Sequence, residues 1–187
     1  MKEFDIAIIG SGPSGAMAAY HAAKKGKKVV IIEKEKLPRY KTCGGGLVYR
    51  GRINLPFSIE EVVEKEFYEL EVFFEKSPHF FTAKRNEPII SMVMRDSFDQ
   101  FLVNKALEQG AHIIEQTTME GLVKSENGLL IKTSGGDIKC KYLIGADGAL
   151  SQTAKFGGWK ESRKLIPALE FEVKVPENDF IKMGTYL

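Results

Sequence analysis

The chain has 187 residues, 43% of them hydrophobic and 28% charged, with a formal net charge of +2. Lysines interleave with glutamates, so no basic field marks a nucleic-acid partner, and no apolar run is long enough to span a bilayer. Cys43 and Cys140 lie far apart, without CxxC spacing or paired histidines, which argues against a metal site or a disulfide framework and for a reducing, cytoplasmic setting.

In chain order, Phe4 to Ile9 is a short isoleucine-rich run that predicts a strand. GSGPSG follows, then AMAAYHAAKKG, whose alanines favour a helix that Gly26 can terminate. KKVVIIEK reads as a second buried strand, completing the βαβ opening of a doubly wound α/β fold. The acidic Glu3 and Asp5, and the glycines that cut the apolar run after Ile9, are not the pattern of a signal peptide.

Between Glu66 and Met94 the pattern changes. Tyr68, Leu70, Val72 and Phe74 alternate with Glu69, Glu71 and Glu75, which predicts a different, mainly antiparallel sheet. From Arg95 the chain turns helical, with Asp96 or Ser97 able to cap, Phe98, Phe101, Leu102 and Ala106 on one face, and Gly110 after the last turn. AHII, TMEGLVKS, GLLIKTS and DIKCKYLIGA then read as short strands with turns at Asn127-Gly128 and Gly135-Gly136. They form an antiparallel meander that leads to a buried strand at Tyr142 to Ile144, with a short helix after GADGALS. Near the end, Leu169, Phe171, Val173 and Val175 alternate with Glu170, Glu172 and Lys174 as a half-buried strand does.

Gly10, Gly12 and Gly15 form GxGxxG between a predicted strand and a predicted helix, with Pro13 suited to a first helical turn. In that context the backbone from Gly12 through Ser14 meets a pyrophosphate, attracted by free N–H groups and the helix dipole. Glu33, followed by Lys34, closes the second strand roughly 20 residues past the glycines, where a carboxylate accepts hydrogen bonds from ribose hydroxyls and repels a 2′-phosphate. A dinucleotide is therefore expected, and FAD and NAD both remain open on these residues alone. No second nucleotide turn supports NADPH.

GADGALS, Gly145 to Ser151, resembles the GADGxxS fingerprint of FAD-dependent hydroxylases and reductases, and favours FAD. That likeness puts Asp147 and Gly148 beside the ribityl and pyrophosphate region, Arg95 of MRDSFDQFL near the phosphates or ribityl chain, and the backbone of Met119 beside the adenine. PRYKTCGGGL, from Pro38 to Leu47, further resembles the Lys-x-Cys-Gly-Gly motif of the geranylgeranyl reductase family, in the N-terminal part of its members. Consecutive glycines at Gly44, Gly45 and Gly46 suit a flat ring lying against bare main chain. The resemblance rests on the first glycine turn, Lys41 to Gly46, Arg95 with Phe98 and Asp99, and Gly145 to Gly148. It implies that Ala16, Glu33, Cys43, Gly44, Gly46, Arg95 and Met119 meet FAD.

The family's fold is the Rossmann-like one of the hydroxylase-type flavoproteins, and its activity is reduction of isoprenoid double bonds by reduced FAD. The expected division is an FAD-binding domain at 1–64 and 95–165, with 66–94 and 166–187 an incomplete substrate-side sheet of a longer protein. The family's Tyr-x-Trp-x-Phe-Pro motif and second Gly-Asp segment do not occur before Leu187. Cys43 is the candidate catalytic residue, its thiol acidified by Lys41, against the plainer role of a small residue in a tight loop. An aromatic monooxygenase or halogenase, and a catalytically silent FAD-binding domain, are the alternatives. The expected partners are a hydrophobic isoprenoid, an external electron donor, a membrane surface met peripherally, and a second copy paired through the terminal edge strand.

Overall fold

The computed structural model describes residues 2–160, 165–171, 173–176 and 178. In chain order it contains β1 (Lys2–Ile9), α1 (Pro13–Lys24), β2 (Val29–Ile32), β3 (Gly46–Val48), α2 (Tyr49–Ile53), β4 (Lys65–Phe67), β5 (Glu69–Phe73), β6 (Phe80–Lys84) and β7 (Ile90–Met92). There follow α3 (Arg95–Glu108), β8 (His112–Ile114), β9 (Met119–Ser125), β10 (Gly128–Thr133), β11 (Ile138–Gly145) and α4 (Gln152–Gly157). The chain divides into two compact units, Met1–Lys41 with Asp96–Leu165, and Thr42–Arg95 with Ile166–Leu187.

The first unit is built on a six-stranded sheet in the order β8-β2-β1-β11-β10-β9. β8, β2, β1 and β11 run parallel, while β10 and β9 pair antiparallel. Every residue of β2 is buried, the continuous apolar run that a parallel strand covered on both faces requires. Phe4, Ala7, Ile9, Val30, Ile32, Met119, Ile131, Ile138 and Cys140 form one hydrophobic core. α1 buries Ala16, Ala19, Tyr20 and Ala23 and packs on β1 and β2; the small alanines let helix and sheet approach closely. Gly26, at φ +73°, follows its end as the composition predicted.

The strand expected to be buried at Tyr142–Ile144 is instead largely exposed, Tyr142 at 68%. β10 pairs with β11 only at Ile138 to Cys140, whereas β1 continues to Gly145. Among the described residues the C-terminal half of β11 is therefore paired on one side only.

The second unit holds two small antiparallel sheets, β3-β7-β4 and the hairpin β5-β6, rather than the single sheet expected over 66–94. Residues 42–64 cluster with this unit because Gly46–Val48 pairs with Ile90–Met92. Among the described residues, the terminal strand predicted around Leu169 to Val175 is not found. Residues 165–171 and 173–176 have no regular structure, and Leu169, Phe171 and Val173 are exposed. A strand needs a hydrogen-bonded neighbour, and none of the described strands pairs with this segment. Glu172 and residues 179–187 lie outside the described residues, so that part of the expected sheet does too.

Candidate functional site

β1 ends in the glycine turn. Gly10 adopts φ +98°, and a Cβ there would stand 2.5 Å from the carbonyl oxygen of Ala146. A Cβ on Gly15 would run into the carbonyl of Gly10. The Ala146 N–H donates to the Ile9 carbonyl at 2.8 Å, so the GADG segment packs directly on the first turn and the structure brings these two motifs together. Gly12 differs from its two companions. The nearest atom to a Cβ built on it is Arg39 Nη2 at 3.8 Å, which leaves its bare face open.

α1 begins at Pro13 with Gly12 as an extended N-cap and no side-chain cap. The first intrahelical bond closes at Ala16, whose N–H donates to Gly12 at 2.9 Å, while Ser14 is exposed beside Pro13. The N–H groups ahead of Ala16 have no acceptor within the helix, and they sit at the positive end of its dipole. That combination suits an anion.

Glu33 is buried at the end of β2. Its Oε2 accepts from the Ser11 N–H at 2.8 Å and the Ser11 hydroxyl at 2.5 Å, and its Oε1 accepts from the Glu35 N–H at 3.0 Å. Burial pushes its carboxyl up, but the Ser11 hydroxyl, the Glu35 and Ser11 amides and the Arg39 guanidinium outweigh burial and hold it below its ordinary value. Oε2 is taken up by the two Ser11 donors, while Oε1, with one, has room for a further donor. Lys34 is exposed, 3.9 Å from Glu35.

Asp147 spends its carboxylate within the chain. Oδ1 accepts from the Ser151 hydroxyl at 2.7 Å, and Oδ2 accepts from the Thr153 N–H at 2.9 Å and its hydroxyl at 3.2 Å. Burial raises its carboxyl, and the bonds from Ser151 and Thr153 lower it further than burial raises it. Gly148 has φ +82° with open space around it. Met119 opens β9 as a buried core residue, its sulfur 3.9 Å from the Thr153 hydroxyl.

In the second unit, the loop from Cys43 to Gly46 is where the consecutive glycines acquire distinct roles. Gly45, at φ +72°, packs so tightly on the Val93 carbonyl that no side chain fits, and its own carbonyl accepts from the Val93 N–H at 3.0 Å. Gly46 enters β3. Gly44 has nothing within 4 Å of where a Cβ would be, so its backbone is bare and open. Cys43 is exposed, and its N–H donates to Glu170 Oε2 at 2.6 Å. The Gly45 N–H, then Arg95, lower its thiol below the ordinary value, against a smaller upward push from burial and the Glu170 carboxylate. The acidifying groups are thus Gly45 and Arg95, where the sequence pointed to Lys41.

Two polar residues of this arrangement were given no role by sequence. Ser11 clamps Glu33, and Arg39 bridges Glu33 and Asp99. Ser11 stands between two fingerprint glycines and Arg39 just ahead of the CGGG stretch, but the pairing of Ser11 with Glu33 over 22 residues, and of Arg39 with the still more distant Asp99, leaves no local periodicity to betray it.

The chain matches the FAD-binding domain family over residues 3–183. It is 35% identical to an uncharacterised protein of Methanosarcina barkeri across 79% of this chain and 38% of that one. It is 28% identical to the digeranylgeranylglycerophospholipid reductase of Methanocaldococcus jannaschii across 87% of this chain and 42% of the relative. A solved geranylgeranyl bacteriochlorophyll reductase-like protein of Thermoplasma acidophilum superposes with a TM-score of 0.75 and 25% identity, covering 86% of this chain and 43% of that one. A halogenase solved with phloroglucinol and FAD shares the fold, at a TM-score of 0.66 and 20% identity over 81% of this chain and 36% of that one. The chain spans less than half the length of these relatives.

Proposed function

The chain belongs to the FAD-binding domain family, with FAD as its cofactor, and from that membership we propose that it is an FAD-dependent oxidoreductase that reduces carbon–carbon double bonds of isoprenoid chains. The single observation that carries the reductase reading is the Cys43–Gly46 loop, an acidified exposed thiol followed by bare backbone, in a chain whose relatives include named digeranylgeranylglycerophospholipid reductases.

FAD fits the residues present. The uncapped start of α1, with Gly10, Gly12, Pro13, Ser14, Gly15 and Ala16 around it, suits the diphosphate. Glu33 has acceptor capacity left for the adenosine ribose, with Lys34 beside it, and the Met119 backbone would flank the adenine. Asp147 is occupied within its own turn, so it would shape that turn, with Gly148, beside the ribityl–diphosphate part. Gly44, flanked by Gly45 and Gly46 that seat the loop on Val93 and in β3, would leave main chain bare for the ring, and Arg95 would supply a rigid fork of donors.

When bound and reduced, FAD supplies a hydride to the double bond. The chain's own part is to hold the cofactor and to deliver a proton. Cys43 Sγ, more acidic than an ordinary thiol, is the candidate donor. A long isoprenoid favours contact with a membrane surface, although among the described residues no helix is long and apolar enough to cross one.

The test is anaerobic incubation of the chemically reduced protein with geranylgeranyl lipid, followed by mass spectrometry. Hydrogenated product is expected. A product that forms only with oxygen would replace this reading by a monooxygenase or halogenase.

A further inference from the structure

Arg39 lies in the first unit, between the glycine turn and α3, and its guanidinium is gripped from two sides. Nη2 is 3.2 Å from Oδ2 of Asp99, a fully buried carboxylate, and Nε is 3.8 Å from Oε2 of Glu33. The side chain is 14% exposed. Its remaining nitrogen, Nη1, is buried and has no hydrogen-bond partner, the one such side-chain atom found among the described residues.

A buried donor of a charged group with no acceptor is costly and uncommon in a folded protein. Two carboxylates already offset the charge of Arg39, so what is left over is a direction: an N–H aimed where no described residue offers an acceptor. The same guanidinium is the nearest group to the bare face of Gly12. An anion seated on the backbone at Gly12 and the start of α1 therefore sits beside Arg39.

We propose that Arg39 is a cofactor-binding residue whose Nη1 donates to a phosphate oxygen of the FAD diphosphate, with Asp99 and Glu33 fixing the plane of the fork. The inference rests on the FAD reading above. Asp99 acts through Arg39 and is a positioning residue. The fork explains why a fully buried aspartate stands on the first turns of α3, where an apolar residue would pack at lower cost. It also gives the glycine turn a full positive charge in addition to the partial charge of the helix end.

The experiment compares wild type with Arg39→Gln and Arg39→Lys in the full-length protein freed of flavin. FAD and ADP affinities are measured by titration calorimetry, and adenosine affinity by ligand-observed NMR. ADP carries the phosphates without the flavin, and adenosine carries the ribose without the phosphates.

Arg39→Gln is expected to weaken FAD and ADP by a similar factor, on the order of 10- to 100-fold, and to leave adenosine unchanged. Arg39→Lys keeps the charge opposite Asp99 but has no fork, so it folds where Arg39→Gln does not, and it too should lose ADP affinity selectively. Full FAD and ADP affinity in either folded variant would overturn the proposal. So would an equal loss for adenosine, which would put the contact on the ribose or make Arg39 a brace for Glu33. A wild-type protein that binds neither FAD nor ADP would instead remove the FAD reading itself, a result visible before any variant is compared.

Discussion

Two side chains at opposite ends of the exposure scale show how little of a residue's chemistry is in its type. Cys140 sits in the core, where burial pushes its thiol up, while Cys43 is exposed and acidified by the Gly45 N–H and Arg95. Cys43 should therefore react first and alone with a thiol reagent in the native protein, and still react below the ordinary thiol value of 9.0. Arg95→Gln should slow it; equal rates for the two thiols, or no effect of Arg95→Gln, would contradict this account.

Glu33 supplies the pH dependence at the same scale. Its folded value lies below its ordinary 4.5, so the stability it contributes is complete above 4.5 and is lost as pH falls through the lowered folded value. Urea unfolding at stepped pH should show a steeper acid loss in wild type than in Glu33→Gln. Parallel curves would mean that Ser11 and Arg39 do not favour the ionised form.

At the scale of elements, the end of the GADG segment is held by a cap. The Ser151 hydroxyl accepts from the Ala154 N–H at 3.0 Å and donates to Asp147, which ties the start of α4 to the turn that packs on Gly10. Ser151→Ala should cost about 1 kcal/mol of unfolding free energy, read from the denaturant midpoint. No loss would mean that Thr153 alone holds the turn.

Elements written in local periodicity were legible in the sequence. β1, α1, β2, α3 and the meander were readable because alanines, alternation and glycine punctuation act over a few residues. What failed depended on partners distant in sequence. Tyr142 to Ile144 has the composition of a core strand, yet β10 stops pairing at Cys140 and leaves it exposed. Leu169 to Val175 has the alternation of a strand, and no described strand pairs with it. Gly44 and Gly45 look alike in sequence. Only the structure separates the glycine pressed on Val93 from the one facing open space.

For the whole molecule, the division into two compact units means that the groups expected to meet FAD do not lie in one of them. The glycine turn, Glu33, Met119 and Asp147 belong to the first, and Cys43 to Gly46 with Arg95 to the second. A dinucleotide needs an anion site, a ribose acceptor and a place for a planar ring. The first unit has the uncapped start of α1 and the Glu33 carboxylate, and the second, by itself, has bare backbone at Gly44. The measurement that tests this most directly is to denature the purified protein, after incubation with FAD and removal of the excess, and to record the absorbance and mass of what is released. An FAD spectrum with the mass of FAD, one equivalent per chain, is the predicted result; a folded protein that releases no flavin would contradict it.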